Sequence, residues 1–264
     1  MQLKHRVALN GVQLDELDSR IVISGVNEDT GKLSISASNY GSRDGQRVTQ
    51  DRRETLEVAV RFRLHYRKEQ MQAREELLEI VNGWAAAGGW LTVNYKPERR
   101  LYVRVAKFAA MGDAWNWTGE YEILFRAYGV PYWQQVNPSS VAFGTATGCA
   151  GSLSVAGTAK TVCDVMFLNQ GNTTINTITI SCTGCGMSFG SLGLAPGETL
   201  VIDHTDEGLL RIRIRSTGGV YRSALAARLP ASSDDMFVQP GMVACAYTPN
   251  WAGTCTISCR GRWV

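Results

Sequence analysis

Residues 88–105 read GGWLTVNYKPERRLYVRV, and residues 115–133 read WNWTGEYEILFRAYGVPYW. Gly88-Gly89 terminates any helix that precedes it, because glycine enters the left-handed region at no steric cost. Trp90-Leu91-Thr92-Val93-Asn94-Tyr95 and Leu101-Tyr102-Val103-Arg104-Val105 then read as the two strands of a hairpin. Lys96-Pro97-Glu98-Arg99 is its turn, with Pro97 presetting the bend. From Tyr121 to Tyr128, Tyr121, Ile123 and Phe125 fall on one face and Glu122, Leu124 and Arg126 on the other, the period of a half-buried strand. The stretch closes on an aromatic–proline–aromatic boundary at Pro131-Tyr132-Trp133.

Upstream, Leu56, Val58, Val60, Phe62 and Leu64 alternate with Glu57, Ala59, Arg61, Arg63 and His65, which predicts another strand with one buried face. A helix is predicted from about Lys68 to Ala87. Leu77, Val81 and Trp84 lie at i, i+4 and i+7, with Met71 and Leu78 beside them. Glu75, Glu79 and Asn82 take the other side, so the helix should lie flat on a sheet. The first half is therefore α+β. Residues 39–53, NYGSRDGQRVTQDRR, show no periodicity and fit no element. They read either as a surface hairpin or as an arm reaching a neighbouring subunit.

The chemistry of the chain changes after Trp133. Residues 1–135 hold 19 basic and 17 acidic residues, against 8 and 7 in residues 136–264, and all seven cysteines lie in the second part. The expected domains are 1–133 and 136–264. In the second, Ile175, Ile178 and Ile180 sit among threonines, Thr199–Asp203 is a strand run, and Leu210, Ile212 and Ile214 alternate with Arg211, Arg213 and Arg215. Short runs between Gly- and Ser-rich turns predict a β-sandwich, ending in a strand-like tail from Cys255 to Val264.

A net charge of +3 on 264 residues gives no global drive toward nucleic acid. The opening residues lack the apolar core of a signal peptide, and no apolar run reaches the roughly 18 residues of a membrane helix. Synthesis in a cytoplasm and no membrane span are the expectations. No G-x-S-x-G elbow, H-E-x-x-H, P-loop or G-x-G-x-x-G occurs, which predicts no enzyme, no catalytic residue and no cofactor. His204, in Asp203-His204-Thr205-Asp206, reads as part of a plain turn rather than a metal or acid–base cluster. Glu120 and Glu122 read as solvent-facing.

Cys182-Thr183-Gly184-Cys185 has the spacing of a zinc knuckle. Cys182 shares parity with Ile178 and Ile180, however, and Cys255 and Cys259 share it with Ile257, so packed, reduced thiols are the preferred reading over zinc or disulfides, and no metal is expected. The stripe of Arg211, Arg213 and Arg215 either holds phosphate or a sulfated or phosphorylated polymer, or is a solvent face paired with an acidic neighbour strand. Trp251, in Pro249-Asn250-Trp251-Ala252-Gly253, either stacks on a sugar ring or lids the sandwich edge.

Residues 88–133, with their order of helix, Gly-Gly stop, aromatic hairpin with a basic proline turn, and strand into an aromatic boundary, resemble the N-terminal domain of the siphophage distal tail protein (Dit) family. The similarity spans about residues 1–135, and the closing Ser258-Cys259-Arg260-Gly261-Arg262-Trp263 also resembles the end of such proteins. The resemblance implies a mainly β virion protein. An N-terminal α+β domain would close into a hexameric ring between the tail tube protein and the tail-tip hub protein. A C-terminal galectin-like β-sandwich would point outward, in some members anchoring receptor-binding proteins or binding host glycans. It implies a place at the virion tail tip, with assembly in the host cytoplasm. Closing a ring needs two different complementary faces on each subunit. Arg43, Arg47, Arg52 and Arg53 in the unplaced stretch are the candidates for contacts across that seam.

Overall fold

The computed structural model describes residues 5–29, 33–39, 46–65, 71–109 and 120–264. It is mainly β and divides into two compact units, Met1–Trp133 and Gln134–Val264. The first unit contains β1 (Val7–Leu9), β2 (Val12–Gln13), α1 (Leu14–Leu17), β3 (Ile21–Glu28), β4 (Leu33–Asn39), β5 (Gln46–Arg53), β6 (Leu56–Leu64), α2 (Met71–Ala86), β7 (Gly89–Val93), β8 (Arg99–Lys107) and β9 (Glu120–Ala127). The sheet runs in the order β2-β1-β7-β8-β9-β6-β3, every neighbour antiparallel.

The predicted alternation of β6 is realised: Leu56, Val58, Val60, Phe62 and Leu64 are all buried. In register with β9, Val58 faces Phe125 and Phe62 faces Tyr121. The Phe62 and Tyr121 rings stack at 5.6 Å between centroids. α2 contributes Leu77, Leu78, Val81 and Ala85 to this core. Trp84 meets the Phe125 ring edge-on at 5.9 Å. One residue of the helix departs from the apolar pattern: Arg74 is buried and donates from Nε to the Tyr121 hydroxyl at 2.6 Å. Residues 66–70, where the helix was expected to begin, lie outside the described residues, as does the Met71 side chain.

The helix stops where glycine permits. Gly88 and Gly89 take φ of 57° and 122°. Asn10 locks the stop from the β1–β2 turn: its Nδ2 donates to the Gly88 carbonyl at 2.7 Å, and its Oδ1 accepts from the Trp90 N–H at 2.9 Å. The hairpin of β7 and β8 then follows the expected register, with Trp90 opposite Tyr102 and Leu91 opposite Leu101.

Of the stretch from Asn39 to Arg53, residues 40–45 lie outside the described residues, and the rest takes the surface-hairpin form. It belongs to a hairpin, β4 with β5, paired from Leu33↔Arg53 to Asn39↔Gln46 with an irregularity at Ser36/Ala37. This hairpin is a two-stranded sheet of its own. Periodicity fails to report it because Ile35, Ser36 and Ala37 are all exposed. Where consecutive residues are exposed together, nothing forces alternation into the sequence.

A short strand, β10 (Trp133–Gln135), runs across the unit boundary. In the second unit follow β11 (Ser139–Gly144), β12 (Ala150–Val155), β13 (Thr161–Asn169), β14 (Ile178–Cys182), β15 (Cys185–Phe189), β16 (Thr199–His204), β17 (Leu210–Arg215), β18 (Tyr221–Ser223), β19 (Phe237–Val238), β20 (Gly241–Thr248), β21 (Gly253–Cys259) and β22 (Arg262–Trp263). One sheet runs β11-β21-β13-β16-β17-β18, with β19 on β13; the other runs β12-β20-β14-β15. A single core joins them, with Val165, Phe167 and Ile257 from the first and Ile180, Val243 and Tyr247 from the second. Tyr247 is its polar-tipped anchor. Its ring meets Phe167 at 5.0 Å, and its hydroxyl donates to the carbonyls of Trp251 and Gly253.

Candidate functional site

In the first unit, Glu28 at the end of β3 gathers three distant segments. Its Oε1 accepts from the Tyr95 hydroxyl at 2.7 Å, and its Oε2 accepts from the Trp133 indole N–H at 2.8 Å and from Lys96 Nζ at 2.5 Å. The Lys96 ammonium also lies 4.7 Å from the Trp133 ring centre. A buried tryptophan needs a partner for its N–H, and an ammonium over an indole face gains from the ring quadrupole. The basic proline turn and the aromatic boundary that carry the family resemblance are thus one physical cluster. Burial and the hydrogen bond to Glu28 raise the Tyr95 pKa, so its hydroxyl stays protonated as a donor.

The solvent side of β6 and β9 carries a ladder of opposite charges. Arg61 bonds Glu122 at 2.9 Å, Arg126 bonds Glu57 at 2.7 Å, and Arg63 lies 4.0 Å from Glu120. These pairs face one another directly in register. Glu120 and Glu122 are therefore paired across the strands, which corrects their reading as simply solvated.

Of the four arginines expected at a subunit seam, Arg47 and Arg52 lie on β5, whose backbone alone is described there. Arg43 lies outside the described residues. Arg53, at the base of the hairpin, is half-buried with its guanidinium 5.6 Å from the Tyr132 ring centre.

In the second unit the arginine stripe divides. Asp203 sits opposite Arg211 and takes a two-pronged bond from it at 3.1 and 2.8 Å, and a third bond from Arg213 at 2.6 Å. Arg213 also covers the Tyr221 ring at 4.4 Å. Arg215 is exposed, and no carboxylate is placed against it among the described residues. It borders an open groove of about 620 Å³ with Thr199, Thr254, Thr256 and Met166. Trp251 packs against the sandwich core and donates its indole N–H to the Thr177 carbonyl at 2.8 Å, so it closes the sandwich edge.

His204 is not part of a turn. It ends β16 with its ring sequestered: Nδ1 lies 2.8 Å from Asp164 and Nε2 lies 2.9 Å from Asp235. Burial works to lower its pKa, but the two carboxylates outweigh burial and raise it to about 9. A charged imidazolium between two carboxylates is a staple between β16, β13 and the segment before β19. The sequence gives no sign of it, since the partners lie 40 and 31 residues away.

All seven cysteines are free, six of them buried and Cys185 half-buried. Among the described residues, no group of three or more His, Cys, Asp and Glu side chains is arranged to hold a metal. Among them also, no helix is long and apolar enough to cross a membrane.

Comparison with solved structures places this architecture. The chain superimposes on the crystal structure of the SPP1 Dit protein (gp 19.1) with a TM-score of 0.69, covering 98% of this chain and 99% of that one at 13% identity. That protein is described as a paradigm of the hub adsorption apparatus in phages infecting Gram-positive bacteria. The fold is that of a distal tail protein. A chain of the phage P2 baseplate in its activated conformation matches with a TM-score of 0.50 at 7% identity, covering 99% of this chain and 98% of that one. No protein-family model matches the chain, and no curated protein matches it. The Dit fold covers both units end to end, including the sandwich, where the sequence resembles the family in architecture only.

Proposed function

We propose that this chain is a structural component of a phage tail tip, a distal tail protein without enzymatic activity. The observation that carries the reading is the full-length superposition on the SPP1 Dit protein, covering 98% of this chain and 99% of that one. In this reading the first unit builds a hexameric ring joining the tail tube protein to the tail-tip hub protein. The second unit, a galectin-like sandwich, faces outward toward receptor-binding proteins or the host.

The β4–β5 hairpin supports the ring. An isolated two-stranded hairpin is only marginally stable in water, and this one also exposes Ile35. A neighbouring subunit would cover it, with Arg43, Arg47, Arg52 and Arg53 supplying cationic contacts across the seam. Light scattering and negative-stain imaging of the purified chain test this reading. Closed six-membered rings, lost when residues 33–53 are replaced by a short Gly-Ser linker, are the expected result. A particle that stays monomeric at high concentration, even beside its tail partners, would count against the ring.

A second reading rests on the Arg215 groove. An exposed guanidinium beside threonine hydroxyls suits an anionic, hydroxyl-rich surface polymer. A glycan array probed with the full-length protein would show binding that Arg215→Ala removes. Silence across host wall polymers would sink this reading and leave the ring untouched.

A further inference from the structure

Five of the seven thiols gather at one place in the sandwich. Cys182 is directly opposite Cys245 across β14–β20 and directly opposite Cys185 across β14–β15, while Cys163 is opposite Cys259 across β13–β21 in the facing sheet. Cys182 and Cys245 sulfurs are 3.3 Å apart, nearer than ordinary sulfur contact.

The register puts Cys182/Cys245 at a non-bonded position, as it does Cys163/Cys259, whose Cys163 N–H donates away from β21 to the Met236 carbonyl; the 3.3 Å sulfur contact singles out the first. Antiparallel partners alternate between hydrogen-bonded pairs and non-bonded pairs, and the non-bonded pairs bring their side chains closer, with Cα atoms about 4.5 Å apart. Thr183 N–H donates to the Ala244 carbonyl at 2.9 Å, and the Ala244 N–H donates back to Thr183 Oγ1 at 3.1 Å. Thr183/Ala244 is therefore a bonded position, and Cys182/Cys245 beside it is a non-bonded one. The backbone polar groups of Cys182 then point the other way, toward Cys185, which makes Cys182/Cys185 a bonded pair with wider Cα spacing. A disulfide needs Cα atoms roughly 4.4–6.8 Å apart and converging Cβ vectors; a non-bonded pair falls inside that window, and the 3.3 Å sulfur separation shows that the Cys182 and Cys245 side chains converge.

We propose that Cys182 and Cys245 are an oxidative cross-linking site that closes to a disulfide with small-molecule disulfides, entered through the half-buried Cys185. Cys185 is the thiol within reach of solvent. The S–H of Cys182 bonds to its sulfur and lowers its pKa, which favours the attacking thiolate. Its thiolate attacks a glutathione disulfide, forming a Cys185–glutathione bond and releasing one glutathione thiolate. Cys182 gives up its proton and attacks Cys185 Sγ, releasing the second glutathione. Cys245 gives up its proton and attacks Cys182 Sγ, and Cys185 leaves as a thiolate and is restored. In balance, two cysteines are oxidised, one glutathione disulfide is reduced to two thiols, and the two S–H protons pass to them. Cys255 is a built-in control, since burial pushes its thiol up to about 12 and leaves it no accessible surface.

The test is to incubate the full-length protein with glutathione disulfide, quench under denaturing acid, and map the linked peptides by mass spectrometry. The expected result is a chain lighter by two hydrogen atoms, five titratable thiols remaining out of seven, and Cys182 linked to Cys245. Cys185→Ser should slow closure at least tenfold without changing the final link. Seven thiols still titratable after the same exposure would overturn the proposal. So would a Cys163–Cys259 or Cys163–Cys182 link formed in place of Cys182–Cys245, or zinc bound at one equivalent with the thiols blocked. The wild-type experiment decides by itself, so a Cys245 variant that fails to fold would not obscure it.

Discussion

Trp133 donates its indole N–H to Glu28 at 2.8 Å across 105 residues of chain, and the same carboxylate holds Lys96 and Tyr95. Glu28→Ala would strand a buried indole N–H and an ammonium. The cost expected for leaving such a donor unpaired is about 1–3 kcal/mol. Urea denaturation of the full chain should show that loss, with Glu28→Gln recovering part of it because an amide oxygen still accepts. Equal stability of Glu28→Ala and wild type would show that the cluster is not organised by this carboxylate.

The Gly-Gly stop makes a second prediction. A Cβ on Gly89 would lie 2.1 Å from Asn10 Oδ1, on a backbone with φ of 122°. Gly89→Ala should therefore cost roughly 2 kcal/mol or more, and Asn10→Ala about 1–2 kcal/mol by freeing the Trp90 N–H and the Gly88 carbonyl. The double variant should cost less than the sum, because removing Asn10 clears the clash. Thermal melts of the three variants measure this coupling, and strict additivity would contradict it.

His204 sets a pH dependence of known sign. Its folded pKa, about 9, lies above the ordinary histidine value of 6.5. The stability it contributes is thus fully present below about 6.5 and is lost as pH rises through about 9. The shift corresponds to a ceiling of about 3 kcal/mol. Because the Asp164 carboxylate is half-exposed, with 49% of its side chain accessible, screening reduces this to about 2 kcal/mol. Denaturant midpoints measured from pH 6 to 10 should fall across that window in wild type and flatten in His204→Gln. A midpoint rising with pH over the same range would contradict the charged staple.

The divided arginine stripe predicts unequal effects. Asp203→Ala unpairs both Arg211 and Arg213 and should cost about 0.5–1 kcal/mol, the range of partly exposed ion pairs. Arg215→Ala, with no such partner, should stay within about 0.5 kcal/mol of wild type. Denaturation of both variants checks this, and a larger loss for Arg215→Ala would reveal a contact that the groove does not show.

How much of this was legible follows from how far apart the interacting residues lie. Leu56–Leu64, the helix with Leu77 and Val81, and the Trp90–Val105 hairpin could be read because each buries one face and writes its period locally. The β4–β5 hairpin could not, because Ile35, Ser36 and Ala37 are exposed in succession and write no period. Glu28, His204 with its two aspartates, and the Arg61–Glu122 ladder were invisible because each joins residues 31 or more positions apart. Buried Arg74 was hidden for a related reason: its partner, Tyr121, comes from a strand 47 residues on. The preference for packed thiols fits the free, mostly buried cysteines. The contact between the Cys182 and Cys245 sulfurs is a product of strand pairing and leaves no mark in the C-x-x-C spacing.

The central claim is that this chain is built into the tail tip of a virion. The most direct measurement is electron microscopy of intact phage particles decorated with gold-labelled antibody raised against the purified protein. The account predicts label confined to the distal end of the tail, where the tube meets the tip. Particles that carry no label, from a preparation in which mass spectrometry also fails to find the chain, would contradict it.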